Sequence, residues 1–211
     1  ALDTGAYLAA QAGDTARADQ WHELAQRAKA SFLRLYWDGA AMADRLREDA
    51  SGDTKVRPNQ LMLVSVPFDD FVPPAVQARV TRNAVSALLY PYGIASLSQD
   101  DPYFHPRHEN PDFHHKDAAY HQGTVWAWLV GPFVDAWLKV HPDDNAGAWN
   151  AVKGFVSHLG DSCVGSISGV FDAEPPFTPR GCIAQAWGVA QVLRGAGRPA
   201  ETAGRRRRRT G

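Results

Sequence analysis

Cysteine is scarce in this chain: Cys163 and Cys182 are the only two among 211 residues. Two thiols build no disulfide framework, and a reducing, cytoplasmic setting is expected. Neither belongs to a Cys-x-x-Cys pair, and no His-Glu-x-x-His occurs, so the usual zinc signatures are missing. No metal and no cofactor is expected. No apolar run approaches the roughly 18 residues of a membrane span. No basic segment followed by an apolar one marks a signal peptide. No membrane partner is therefore expected. A Gly-x-Ser-x-Gly elbow and a Gly-rich phosphate loop are also absent. Basic charge is thin outside one place. Arg205, Arg206, Arg207, Arg208 and Arg209 hold five of the 22 Lys and Arg residues, which leaves 17 against 23 acidic ones, a net of −6. An acidic body lacks the basic face that nucleic acid needs, and no nucleic-acid partner is expected. The arginine run has no aromatic or glycine pattern beside it, so residues 196–211 are expected to form a solvated, disordered tail. The chain opens on Ala1 rather than Met, and further sequence upstream is expected.

What is present is helical periodicity. Trp21, Leu24, Ala25, Ala28, Phe32 and Tyr36 recur at steps of three and four, with Asp14 placed to cap the start and Gly39 just past the end. Residues 40–57 read as a polar loop with a short hairpin. A short helix is expected from Asn59 to Val66 after Pro58. Another opens at Pro73 and Pro74 and runs to about Leu89, with Val76, Val80, Ala84, Val85 and Leu88 inward. Tyr90 to His121 is a long irregular segment with four prolines and six aromatics, too aromatic to be disordered. An apolar helix is expected from Gln122 to Val140, a second from Ala146 to Leu159, and a last from Ile183 to Arg194, ending near Gly195 and Gly197. Residues 160–181 read as loop. The pattern predicts an all-α fold of about seven helices with long loops. Trp21, Trp137 and Trp149 lie at helical spacing and are expected in the core.

Chemistry concentrates at three helix starts. Residues 119–128 place His121, Gln122, Thr124, Trp126 and Trp128 together. Imidazole and amide groups direct hydrogen bonds to sugar hydroxyls, and indole faces stack on the apolar face of a pyranose ring. Arg57, Asn59 and Gln60 form a second polar set, and Gln185 with Trp187 a third. Asp117, four residues before His121, completes the candidate binding residues. The pattern suggests a neutral, hydroxyl-rich ligand. Glycoside hydrolysis needs two carboxylates across the scissile bond; Asp100, Asp101, Asp117, Asp172 and Glu174 are the loop candidates, and composition alone pairs none of them. His105, His108, His114, His115 and His121 cluster without metal-ligand spacing.

These residues carry a resemblance. In order along the chain come Arg57-Pro58-Asn59-Gln60, Pro91-Tyr92-Gly93, Ser96-Leu97-Ser98, Asp100-Asp101-Pro102, Tyr120-His121-Gln122-Gly123-Thr124-Val125-Trp126, Gly165-Ser166-Ile167-Ser168, Pro179-Arg180-Gly181-Cys182 and Ala184-Gln185-Ala186-Trp187. Residues 1–195 thereby resemble the C-terminal, amylo-α-1,6-glucosidase domain of glycogen debranching enzymes. The resemblance implies an (α/α)6 toroid, here incomplete, and inverting hydrolysis of α-1,6 branch linkages in glycogen-like α-glucan, with no metal. It implies a general base after the Gly165–Ser168 block, where this sequence has Gly169, and a general acid in a Trp-Met-Asp block that this sequence does not contain. Ala95 stands where the family often has arginine. Asp172 and Glu174 are the nearest stand-ins for the base. The chain is expected to be weak or inactive alone, with the remaining N-terminal part of the same enzyme as its partner. The alternatives are a non-catalytic α-glucan-binding module, a structural partner of another chain, or a trehalase-like toroidal glycosidase.

Overall fold

A computed structural model describes residues 1–67, 71–109 and 111–207, with side chains described through residue 198. The chain divides into two compact units, Ala1–Thr54 and Lys55–Gly211.

In the first unit, α1 (Leu2–Gln11) packs against α2 (Thr15–Tyr36). Asp14 caps α2 as its sequence position predicts: the carboxylate accepts from the Arg17 backbone N–H at 3.0 Å, filling one of the donors that a helix start leaves open. Ala25 is the buried residue of α2, and Phe32 stacks on Tyr36 at 4.5 Å along the same face. α1 was not foreseen, because its ten residues carry no strong apolar stripe beyond Ala6 and Ala9. The predicted hairpin is present as β1 (Arg45–Leu46) and β2 (Gly52–Asp53).

The second unit opens with α3 (Asn59–Ser65) and α4 (Pro74–Leu88), both where periodicity and proline placed them. Val76, Val80, Ala84 and Leu88 are buried on α4. The prediction of an all-α fold is then corrected. β3 (Leu89–Tyr90), β4 (Gly93–Ala95), β5 (Val125–Trp126), β6 (Ser168–Phe171) and β7 (Pro179–Ile183) form an antiparallel sheet in chain order. Each strand is two to five residues long. β4, β5 and β6 are buried along their whole length and show no alternation to read. Their partners are remote in sequence: Ile94 pairs with Trp126, and Val125 with Phe171. Helix remains the dominant element.

The other corrections follow from the sheet. α5 (Phe113–His121) lies in the segment read as irregular. The apolar helix expected from Gln122 starts only at α6 (Val130–Val140), after β5 and a 3-10 turn at Ala127–Leu129. Gly123 lies at φ +151, and a Cβ there would sit 2.1 Å from the His105 carbonyl oxygen, so the backbone there is non-helical and open to glycine; Pro132, the third residue of α6, has no N–H to give to a preceding turn and fits only a first turn. The helix expected over 146–159 is split into α7 (Asn145–Asn150) and α8 (Gly154–His158). α9 (Ala186–Arg207) begins after a turn at Ala184, φ +57, and passes through Gly195 and Gly197 without stopping. Gly195 is buried against Val134 and Val152, so tertiary packing overrides the stop signal. Of the tail expected to be disordered, residues 196–207 continue α9 as helix, and residues 208–211 lie outside the described residues.

The core of this unit lies where α6 meets α3, α4 and α9 above the sheet. Leu61, Ile94, Phe133 and Phe171 are at most 1% exposed, and burying each contributes roughly 1.5–3 kcal/mol. Trp149, expected in the core, is 42% exposed on α7; helical spacing marks a face but not whether anything covers it. Trp137 packs on Phe133 and donates from Nε1 to the Asp144 carbonyl at 3.2 Å.

Candidate functional site

All of the predicted site residues fall in the second unit. Arg57, in the segment leading to α3, donates from Nη1 to two carbonyl oxygens, Ser96 at 3.0 Å and His121 at 2.5 Å. One guanidinium thus joins the start of α3, the end of β4 and the end of α5. Asn59 is exposed at the first residue of α3, whereas Gln60 is buried and donates to the Lys55 carbonyl at 3.2 Å. Gln60 therefore stitches backbone together rather than presenting its amide to solvent. Ala95 is fully buried on β4.

The second segment is shaped by the turn after α5. The Ser96 hydroxyl accepts from the Gly123 N–H at 2.9 Å, and Thr124 Oγ1 donates to the Ala119 carbonyl at 2.8 Å. These bonds replace helix bonds and turn the chain into β5. His121 is left exposed at the end of α5, its ring stacked parallel to Trp126 at 5.9 Å and 10°. Trp126 is buried, with Nε1 donating to the Tyr120 carbonyl at 3.1 Å and the Tyr120 ring edge-on at 4.7 Å. Gln122 is half-buried, and its carbonyl accepts from the His105 N–H at 2.6 Å. Asp117 is exposed on α5.

The third segment meets the second through indoles. Trp187, on the first turn of α9 and 46% exposed, lies edge-on to Trp126 at 5.8 Å and stacks on Trp128 at 5.1 Å and 15°. Its Nε1 donates to Gln185 Oε1 at 3.0 Å. Arg57, His121, Trp126, Trp187, Trp128 and Gln185 therefore form one connected set, although they are spread over more than 120 residues of chain. Tyr120 belongs to the set and was not singled out; its place beside His121 and Trp126 was the available signal. Lys55 is a neighbour missed entirely. Its ammonium pairs with Asp101 at 2.6 Å and lies 4.6 Å from the centre of the Tyr103 ring. Burial would raise the Asp101 carboxyl, but the Lys55 ammonium and the Tyr103 N–H hold it below the ordinary range.

The two stand-in carboxylates lie elsewhere, in the turn between β6 and β7. Asp172 is buried; one oxygen accepts from the His108 N–H at 2.8 Å, and the other is held by Arg180 at 3.2 Å. Glu174 pairs with Arg107. These four side chains line a cavity of about 260 Å3 together with Glu109 and Thr178. Glu174 straps the 105–109 loop to the β6–β7 turn through its ion pair with Arg107, and Asp172 does so by accepting the His108 N–H, while its own ion pair with Arg180 stays within the hairpin. Gly169 is buried on β6, and a Cβ there would lie 2.8 Å from the Cys182 carbonyl oxygen and 2.9 Å from Gln185 Oε1. The histidine-rich stretch disperses: His108 is buried beside Tyr120, His115 bonds Asp112 at 2.7 Å, and His121 joins the indoles. Among the described residues no three His, Cys, Asp or Glu side chains gather as a metal site, and no helix is long and apolar enough to cross a membrane.

The set is thus a ring-faced surface edged by amides, an imidazole and a guanidinium. It can stack flat apolar faces and direct hydrogen bonds to neutral hydroxyls. Three findings bear on its kinship. The glycogen debranching enzyme of Saccharomyces cerevisiae (strain ATCC 204508 / S288c) is 33% identical over 107 residues, 48% of this chain and 7% of that enzyme. This chain therefore spans a small part of that relative's length. Neutral trehalase Nth1 from Saccharomyces cerevisiae superposes with a TM-score of 0.55 at 11% sequence identity, over 88% of this chain and 31% of that one, a likeness of fold. The family described as amylo-alpha-1,6-glucosidase matches residues 1–194, and with the match covering nearly the whole sequence, the chain belongs to the amylo-alpha-1,6-glucosidase family.

Proposed function

We propose that this chain is the C-terminal part of an (α/α)6 toroid glucosidase domain whose substrate is a glycogen-like α-glucan with α-1,6 branches, and that the chain as it stands binds glucan without hydrolysing it. Residues 1–195 make up that part, and residues 196–211 a basic tail. The observation that carries the proposal is the joining of three remote segments, at Arg57, His121–Trp128 and Gln185–Trp187, into one aromatic and amide surface. A glucosyl ring stacks on the exposed face of Trp187 while His121, Asn59, Gln122 and Asp117 reach its hydroxyls from the rim. The family match and the named relative support reading this chemistry as part of glycogen debranching.

Hydrolysis needs a proton donor at the leaving oxygen and a base for water, held tightly in place. Gly169 has no side chain to take a proton, and its surroundings are filled. Asp172 is a poor stand-in, since both of its oxygens already serve His108 and Arg180, and Glu174 is tied to Arg107. The remainder of the toroid is the partner that supplies the acid, in a cytoplasmic setting that suits two free thiols. Two measurements on the purified chain test this. Calorimetry with maltoheptaose is expected to give binding, and incubation with a branched limit dextrin no glucose. Absence of binding overturns the site, and steady glucose release overturns the assignment of inactivity.

A further inference from the structure

Gln185 does something that its place at a helix start does not suggest. β6 and β7 slip register between Ser168 and Val170, and Gly169 sits at that irregularity. The chain then turns at Ala184, φ +57, where its N–H donates to the Ile167 carbonyl at 2.9 Å. That bond folds Gln185 back over β6. Its Oε1 comes to lie 2.9 Å from the point a Cβ on Gly169 would occupy. The same oxygen accepts the Trp187 indole N–H at 3.0 Å. Trp187 is nearly half exposed, and surface packing alone leaves such a ring a choice of rotamers. The bond that the indole donates to Gln185 restricts that choice, with the indole flat against Trp128.

We propose that Gln185 is a positioning residue: its amide, seated in the space that Gly169 leaves open, locks Trp187 onto Trp128 as a preformed plate for a glucosyl ring. A side chain at position 169 would press on this amide as well as on the Cys182 carbonyl oxygen. The inference rests on reading the indole surface as the α-glucan site, and its gain is preorganisation, since a side chain ordered before binding does not have to be ordered by the ligand.

Gln185→Leu keeps the size and removes the acceptor, Gln185→Glu keeps an acceptor oxygen, and Gly169→Ala crowds both the amide and the Cys182 carbonyl oxygen. Two readouts apply: the near-ultraviolet circular dichroism of the stacked indoles, and maltoheptaose affinity by calorimetry. Gln185→Leu is expected to lose the indole signal and to weaken binding about tenfold. Gln185→Glu is expected to retain both, and Gly169→Ala, where it folds, to behave like Gln185→Leu. An unchanged indole signal in Gln185→Leu overturns the proposal, as does unchanged affinity with the signal lost. If the unaltered chain binds no maltoheptaose, the glucan reading fails, while the indole signal of Gln185→Leu still decides whether Gln185 holds Trp187.

Discussion

Single residues separate ligand surface from scaffold. Trp187 is exposed and Trp126 is buried, so the two indoles answer different experiments. Trp187→Ala is expected to weaken maltoheptaose binding by about tenfold and to cost about 0.5–1.5 kcal/mol of stability through its contacts with Trp126 and Trp128, read by calorimetry and thermal melting. Trp126→Ala removes a buried ring between Tyr120, His121 and Trp187 and is expected to cost about 3–5 kcal/mol of stability, so loss of binding there does not by itself locate the ligand. Asp172 belongs to the scaffold. Asp172→Ala strips a buried N–H of its acceptor and Arg180 of its counter-ion, an expected loss of roughly 1–3 kcal/mol. A denaturation midpoint equal to that of the unaltered chain contradicts this role. At this scale the sequence was informative about residue type and poor about exposure. His121 and Gln60 both stood in polar clusters, yet one faces solvent and the other is spent on the Lys55 carbonyl.

At the scale of elements, local signals worked where local bonds form the element. Asp14, Pro58 and Pro74 marked helix starts because a cap or a fixed φ acts within one turn. Asp14→Ala is expected to lower stability by about 1 kcal/mol, visible as a lower melting temperature, and Asp14→Ser to restore most of it. The strands gave no such signal. β5 is two residues long and exists because β4 and β6 lie on either side. Gly195 teaches the same lesson in reverse, since a residue that ends helices is retained inside one where α9 packs on Val134 and Val152.

The whole molecule carries a pH dependence that follows from burial. Burial holds the His158 and His108 imidazoles below the ordinary value of about 6.5. His158 Nε2 accepts from the Ser168 N–H at 3.1 Å, a bond that protonation of that nitrogen destroys. The unfolded chain therefore takes up protons before the folded one does. Stability is fully present above about pH 6.5 and falls as pH drops from there toward the depressed folded values. Melting temperatures between pH 7.5 and 5.5 are expected to decline, and His158→Gln, which keeps an acceptor without titrating, to flatten the decline. A flat profile in the unaltered chain contradicts the burial argument.

By itself the sequence determined the helices whose caps and stripes are local, the absence of a zinc or phosphate-loop signature, and the ordered blocks that carry the family. Each of these depends on residue type at short spacing, which is what a linear chain records. Tertiary structure alone decided that a sheet exists, that Trp149 is uncovered, that Asp172 is a strap, and that Gln185 occupies the space beside Gly169. Those outcomes depend on which remote segment arrives next to which, and the free energy of that meeting is shared among residues that no local window contains.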